Sequence, residues 1–285
     1  MHWFFVALTT AICLSTADAI SKKALKHTDE DVIVWVREGY ALPFLLIPLF
    51  FIEIPTLDTA FYITVLTLLP LEILALLLYV RAINISPLSL TVPFMALSPV
   101  FIILIGYVTL GELPDTSGAL GIIAIAAGAY MLNAGAAKDG LLGPIKAIFR
   151  EKGSVLMIIV AFIYSITSTF GKVAVSHSSP LFFAFFYPLI LTAALTVYIL
   201  KKGKFAKVFE KPAYFVPIGL FVSIMIITHF IAITMTDVAY MIAVKRTSLL
   251  FSVIYGKLLF KEEKTWERLL GAAIMILGIV LITVF

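Results

Sequence analysis

Apolar residues run along this chain in blocks of about 20, separated by short polar interruptions, rather than alternating with polar positions. A first set of blocks falls at about 3–21, 32–52, 60–80, 87–109 and 116–133. A second set falls at about 154–175, 181–200, 213–235, 238–259 and 267–285. Each block is long enough to cross a hydrocarbon core of about 30 Å as a helix, and none has the ten-residue alternation of a barrel strand. In lipid the backbone must bond to itself, so the pattern predicts an all-α membrane protein with ten transmembrane helices.

The pattern also repeats. A shift of 150 residues brings Ala11 onto Ala161, Ser15 onto Ser165, Lys22 onto Lys172 and His27 onto His177 without a gap. The same shift carries Ser98, Phe101, Gly106 and Glu112 onto Ser248, Phe251, Gly256 and Glu262, and Gly121 and Gly128 onto Gly271 and Gly278. Each copy holds an odd number of spans, so the second copy must begin from the opposite side of the membrane. The expected organisation is therefore two inverted five-helix repeats, 1–135 and 154–285, joined by a connector at 136–153. Inverted repeats with a cavity at their interface are a design of secondary transporters.

Composition agrees. Of the 285 residues, 62% are hydrophobic and 13% charged, against roughly 45–50% and 25% in a soluble domain. Ten spans leave no room for a soluble catalytic or nucleotide-binding domain. Residues 3–21 end in the small residues Ser15–Thr16–Ala17, as a signal peptide would, but only Met1 and His2 precede the apolar run. The segment echoes 154–175 and is read as the first span. The single Cys13 offers no disulfide framework.

Charge adds an orientation. Of the 21 lysines and arginines, sixteen fall in the loops after spans 1, 3, 5, 7 and 9. Lys172 alone falls in the other loops, and Arg37, Lys245, Arg246 and Lys257 lie within spans or at their edges. The loop between spans 2 and 3 has no cation, while its repeat equivalent between spans 7 and 8 has five. Equivalent loops on opposite faces are what inversion requires. By the positive-inside rule both termini face away from the cytoplasm in a multi-pass protein of the cell membrane. The cations lie in short loops, which suits topology and not nucleic-acid binding.

Several chemistries lack their motifs. There is no GxxxxGK[ST] phosphate loop and no HExxH, and His2, His27, His177 and His229 do not cluster. No nucleophile–His–acid set stands out. The expectation is no enzyme, no cofactor and no bound metal, with a small-molecule substrate and the lipid bilayer as partners.

Charges inside spans are costly and often functional. Glu72 lies past the middle of span 3, and Lys245 and Arg246 lie a third of the way into span 9. They are substrate-binding candidates, or else a structural ion pair such as Lys245 with Glu72. Arginine, with its planar fork, is the better carboxylate partner. Tyr79 and the equivalent His229 are either ligand-bonding groups or interfacial anchors. Trp35 and Ser248 complete the binding candidates. Arg37 and Glu38 cluster with Trp35 at the start of span 2, where an interfacial position suits them. Asp18 is a helical ion-pair partner for Lys22, four residues on, or a coupling site for a proton. Pro70 in span 3 and Pro87, Pro93 and Pro99 in span 4 are helix-bending candidates, and Pro93 and Pro99 become Ala243 and Leu249 in the second copy. One copy thus supplies bent backbone and the other supplies charge. Gly121 and Gly128, with Gly271 and Gly278, form small-residue faces suited to scaffold packing or to a homodimer through spans 5 and 10.

The run Ala82–Ile–Asn–Ile–Ser–Pro87, then Ser98–Pro99–Val–Phe101, Gly106, Gly111–Glu112, Gly121 and Gly128, resembles the second half of an EamA repeat. Its echo passes through Ala232, Arg246–Thr–Ser248, Phe251, Gly256, Glu262, Gly271 and Gly278. The whole chain resembles an EamA-type permease of the drug/metabolite transporter superfamily. That resemblance implies inverted halves around a central cavity, alternating access and no covalent chemistry. Relatives move amino acids, other metabolites, drugs or nucleotide sugars. The chain departs from the pattern in lacking the prolines in its second copy and in carrying Asp18 and Ser21 where relatives often have an aromatic–Gly pair. Relatives are often drawn with both termini in the cytoplasm, against the charge bias here. The function expected is export of a small zwitterionic or anionic metabolite such as an amino acid. The alternative is a non-transporting membrane sensor or lipid-binding scaffold on the same fold.

Overall fold

The computed structural model describes residues 2–101, 104, 116–235, 241 and 244–284. Among them the regular structure is helical: α1 (His2–Ala24), α2 (Glu30–Gly39), α3 (Leu42–Leu46), α4 (Thr59–Ile85), α5 (Leu88–Thr91), α6 (Thr116–Met131), α7 (Gly143–Arg150), α8 (Lys152–Ser176), α9 (Pro180–Lys201), α10 (Pro212–Met235), α11 (Ser248–Phe260) and α12 (Thr265–Val284). Six of the described helices, together with the run Glu30–Phe51 made of α2, α3 and a 3₁₀ turn at Ile47–Phe51, are long and apolar enough to cross a membrane, and three shorter apolar stretches, Leu88–Phe101, Thr116–Met131 and Ser248–Phe260, accompany these seven. The chain is a multi-pass membrane protein. Gly106, Gly111, Glu112 and Ala243 lie outside the described residues.

Helix ends are set by local chemistry. The Asp58 side chain accepts the Phe61 N–H at 2.9 Å and starts α4. That bond holds its carboxyl below the usual carboxylate range. Ser179 caps α9 in the same way, with Pro180 at the first helical position. α4 runs unbroken through Pro70 for 27 residues, about 40 Å, so this proline does not interrupt the helix. The prolines of span 4 act differently. Pro87 precedes α5, and Val92–Leu97, which contains Pro93, is a 3₁₀ segment. Helical structure resumes at Ser98–Phe101, which includes Pro99. The first half therefore carries a backbone with weakened α-helical bonding at this depth.

Loop contacts gather the ends of the helices. At one end Lys204 reaches Asp31 at 2.7 Å, Lys207 reaches Asp29 at 2.8 Å and Arg81 reaches Glu30 at 3.0 Å. The loops after spans 1, 3 and 7 thus lie together. Lys207 holds the Asp29 carboxyl below its ordinary range. These exposed pairs each contribute little stability. At the other end His177 meets Asp58 at 2.7 Å, joining the loops before α4 and after α8.

The glycines have a clear use. A Cβ on Gly121 would sit 2.6 Å from the Gly278 carbonyl oxygen, and one on Gly128 would sit 2.6 Å from that of Gly271. α6 and α12 therefore touch backbone to backbone within one chain. Those faces are used up internally and are not free for a homodimer through spans 5 and 10.

This packing generates a prediction. Gly128→Leu should separate α6 from α12 and sharply reduce monodisperse, folded protein, while Gly121→Ala should cost about 1–3 kcal/mol by overpacking. Thermal unfolding in detergent measures both. Ligand binding by whatever folds should be unchanged, because neither helix lines the cavity described next.

Candidate functional site

A cavity of about 280 Å³ lies between the two halves. α4 contributes Leu68, Glu72, Leu76 and Tyr79, and α2 contributes Arg37 and Glu38. The bent span 4 contributes Val92, Met95, Ser98 and Pro99. From the second half come Tyr164 and Thr167 on α8, Tyr187 on α9, and Met225 and His229 on α10. Lys245, Arg246 and Ser248 lie at the start of α11 and just before it.

The wall rests on a buried ion pair. Arg37 donates to Asp18 at 2.8 Å and to Ser21 at 3.2 Å, and the Tyr79 hydroxyl donates to the other Asp18 oxygen at 2.5 Å. Asp18 is 0% exposed and Arg37 4%. The guanidinium also stands 5.4 Å from the centre of the Tyr79 ring. α1, α2 and α4 are thereby tied at one point. Lys22 does not pair with Asp18. It reaches past it to the carbonyls of Ile83 at 2.8 Å and Ser86 at 2.5 Å. The i,i+4 pairing loses because Asp18 faces the bundle interior, where Arg37 arrives with a better-matched fork.

Other charges in the cavity are left unpaired. Arg246, 8% exposed, donates from one terminal nitrogen to Ser98 across the interface between halves, and its Nε has no partner. Lys245 stands 3.4 Å from His229 Nδ1. No carboxylate lies within ion-pairing distance of either among the described residues, so Lys245 and Glu72 face one cavity without a direct bridge. Glu72 and Thr167 line the same stretch of wall, and no ion pair joins Glu72 to Lys245 among the described residues. Glu38, 7% exposed, has the Arg37 charge and the Glu72 carboxylate as its charged neighbours, and its own carboxylate makes no hydrogen bond among the described residues.

Glu72, Tyr79, His229, Lys245, Arg246 and Ser248 are brought together here, and Pro99 with them. Tyr79 and His229 both sit in the cavity wall. Trp35 is elsewhere: its indole N–H donates to Thr196 at 2.8 Å and its ring packs on Tyr40 and Phe205, joining α2 to α9. Asp18 lies behind the wall, with both oxygens occupied. Arg37 and Glu38 are the cavity residues that the sequence reading set aside as interfacial. Their signal was an opposite charge, Asp18, also inside an apolar block.

An apolar helical bundle with a charged cavity between its halves is the build of a multi-pass membrane transporter. The model of the EamA-like transporter family matches residues 1–134 and again 151–284, and the chain belongs to that family. No curated protein matches it. Among solved structures, one described as "Crystal structure of protein" is similar in fold, with a TM-score of 0.64 at 14% sequence identity over 99% of this chain and 95% of that one.

The wall gives a second prediction. Asp18→Asn should cost about 3–5 kcal/mol, because it strands a buried guanidinium. The double variant Asp18→Leu/Arg37→Met should recover most of that loss. A denaturation series on Asp18→Leu, Arg37→Met and the double variant reads the coupling directly.

Proposed function

We propose that this protein is a secondary permease that exports a small zwitterionic metabolite, such as an amino acid, by alternating access. The observation that carries the reading is Arg246, buried in the cavity wall without an ion-pair partner among the described residues, in a lining it shares with Glu38 and Glu72, neither of which forms a direct ion pair there. Each such charge costs about 2.5–3.5 kcal/mol to place in a membrane span. A ligand carrying both a carboxylate and an ammonium offsets that cost. Ligand pockets start at roughly 300 Å³, so a cavity of about 280 Å³ suits a molecule of amino-acid size.

In this reading Arg246 and Lys245 take the carboxylate, Glu72 and Glu38 take the ammonium, and Tyr79, His229 and Ser248 supply hydrogen bonds. Ten spans form two inverted five-helix repeats divided at 136–153. The matching of the family model in two stretches, 1–134 and 151–284, supports that division, and the gathering of basic loops at one end supports the inversion. The Lys/Arg bias places both termini away from the cytoplasm. The three-way tie of Asp18 fixes the cavity wall, and Asp18 is the coupling candidate of the same scheme.

Counterflow in proteoliposomes tests the reading. Vesicles loaded with a mixture of amino acids should exchange at least one labelled member, and Arg246→Ala should reduce kcat/KM about 30-fold or more, as truncating one side of a buried charge pair does. Folding should persist, judged by an elution profile and Tm near those of the parent. Glu72→Gln should weaken zwitterions more than simple carboxylates. Folded protein that moves no member of a broad metabolite pool refutes the proposal.

A further inference from the structure

We propose that Glu262 is a positioning residue of the transport cycle: it latches the two halves together at the basic end, and its release opens the cavity toward that end. The inference rests on the alternating-access reading above.

Glu262 lies just past α11. Lys261 ends that helix in the left-handed conformation, φ 54°, and the Glu262 N–H returns to the Gly256 carbonyl at 3.1 Å. This turn sends the Glu262 carboxylate into the other half of the molecule. One oxygen accepts the Leu88 N–H at 2.8 Å, and the second accepts the Ser89 N–H at 3.0 Å and the Ser89 hydroxyl at 2.5 Å. Leu88 and Ser89 open the apolar helix Leu88–Phe101, where backbone donors have no intrahelical partner. Pro87, ahead of them, supplies no side-chain cap. The second half therefore supplies the cap that the first half lacks.

Neighbouring residues are fitted to this contact. Arg268, 8% exposed, donates to Ser89 Oγ at 2.5 Å and stands 3.4 Å from Glu262. A Cβ on Gly256 would meet a Glu262 oxygen at 2.5 Å and the Ser89 Cβ at 3.0 Å, so the glycine makes room for the carboxylate. Lys22 holds the carbonyls of Ile83 and Ser86 on the other side of the same turn.

The latch and the cavity lie at different depths. The cavity lining extends on α8 to Val175 and on α9 to Phe183, near the loop that joins those helices. None of the latch residues lines it. Leu249, in the wall, precedes Glu262 by about 20 Å of helix. The link between them is mechanical. The helix that Glu262 caps continues through the 3₁₀ segment to Ser98, which receives Arg246. Freeing its start frees a backbone already weakened by Pro93.

Side-specific labelling tests this. In a Cys13→Ala background, a cysteine introduced as Ser168→Cys on the cavity wall is exposed to a membrane-impermeant maleimide from each face of sealed vesicles, with counterflow measured in the same vesicles. The parent should label mainly from the face opposite the latch. Glu262→Gln should raise labelling from the latch face about tenfold, consistent with losing charge-assisted bonds, and Ser89→Ala should raise it less. A merely structural role for Glu262 would lower Tm without changing which face labels. Unchanged sidedness in Glu262→Gln overturns the latch, and where that variant does not fold, unchanged sidedness in Ser89→Ala does so. If the parent shows no counterflow while Glu262→Gln opens the latch face, the latch stands and the transport reading falls.

Discussion

A carboxylate and a guanidinium share a buried site, and the cavity between the halves is built against them. Asp18 and Arg37 sit on different helices, and Tyr79 joins them from a third. Leaving either of these two fully enclosed charges without the other is costly, which favours the three helices meeting at one depth and in one rotation. That constraint also turns α2. With Arg37 drawn inward, the adjacent Glu38 is carried to the cavity surface and Trp35 to the opposite packing face against α9. The same interaction therefore decides which polar residues of α2 can meet a ligand.

Much of this was legible in the sequence, for physical reasons. Lipid requires long unbroken apolar helices, and length is readable without tertiary information. A charge in the middle of such a block has few explanations, so Glu72, Lys245 and Arg246 stood out. Arg37 and Glu38 did not, because they begin a block and an interfacial position accounts for them equally well. Only the partner at Asp18 distinguishes the two cases, and a partner on another helix has no sequence spacing. Glycines behave likewise. Their common helical face was readable, but the face they meet was not, and it proved to lie within the same chain. The four prolines illustrate a third case. Pro70 is absorbed in a continuous helix, whereas Pro93 falls in a segment that relaxes to a 3₁₀ form.

The halves are alike in outline and different in chemistry. The first supplies weakened backbone, a cap-deficient helix start and acids. The second supplies the cations that lack an ion pair, Lys245 and Arg246, and the capping carboxylate. Such asymmetry makes the halves interdependent in a way a symmetric duplication would not be. Arg246 leans on Ser98, and Leu88 and Ser89 lean on Glu262. Both contacts cross the interface, and both end on the same bent segment of span 4.

This arrangement bears on how a ligand would be felt. The unpaired acids, Glu38 and Glu72, belong to one half, and the unpaired cations, Lys245 and Arg246, belong to the other. A molecule with one charge of each sign, bound between them, is attracted to both halves at once and so favours their approach. An isolated anion neutralises only the second half and leaves the acids facing each other across a low-dielectric space, where repulsion is strongest. On the transport reading, the same electrostatics that select the ligand also supply a differential interaction with closed and open arrangements, which a ligand needs in order to shift a conformational equilibrium.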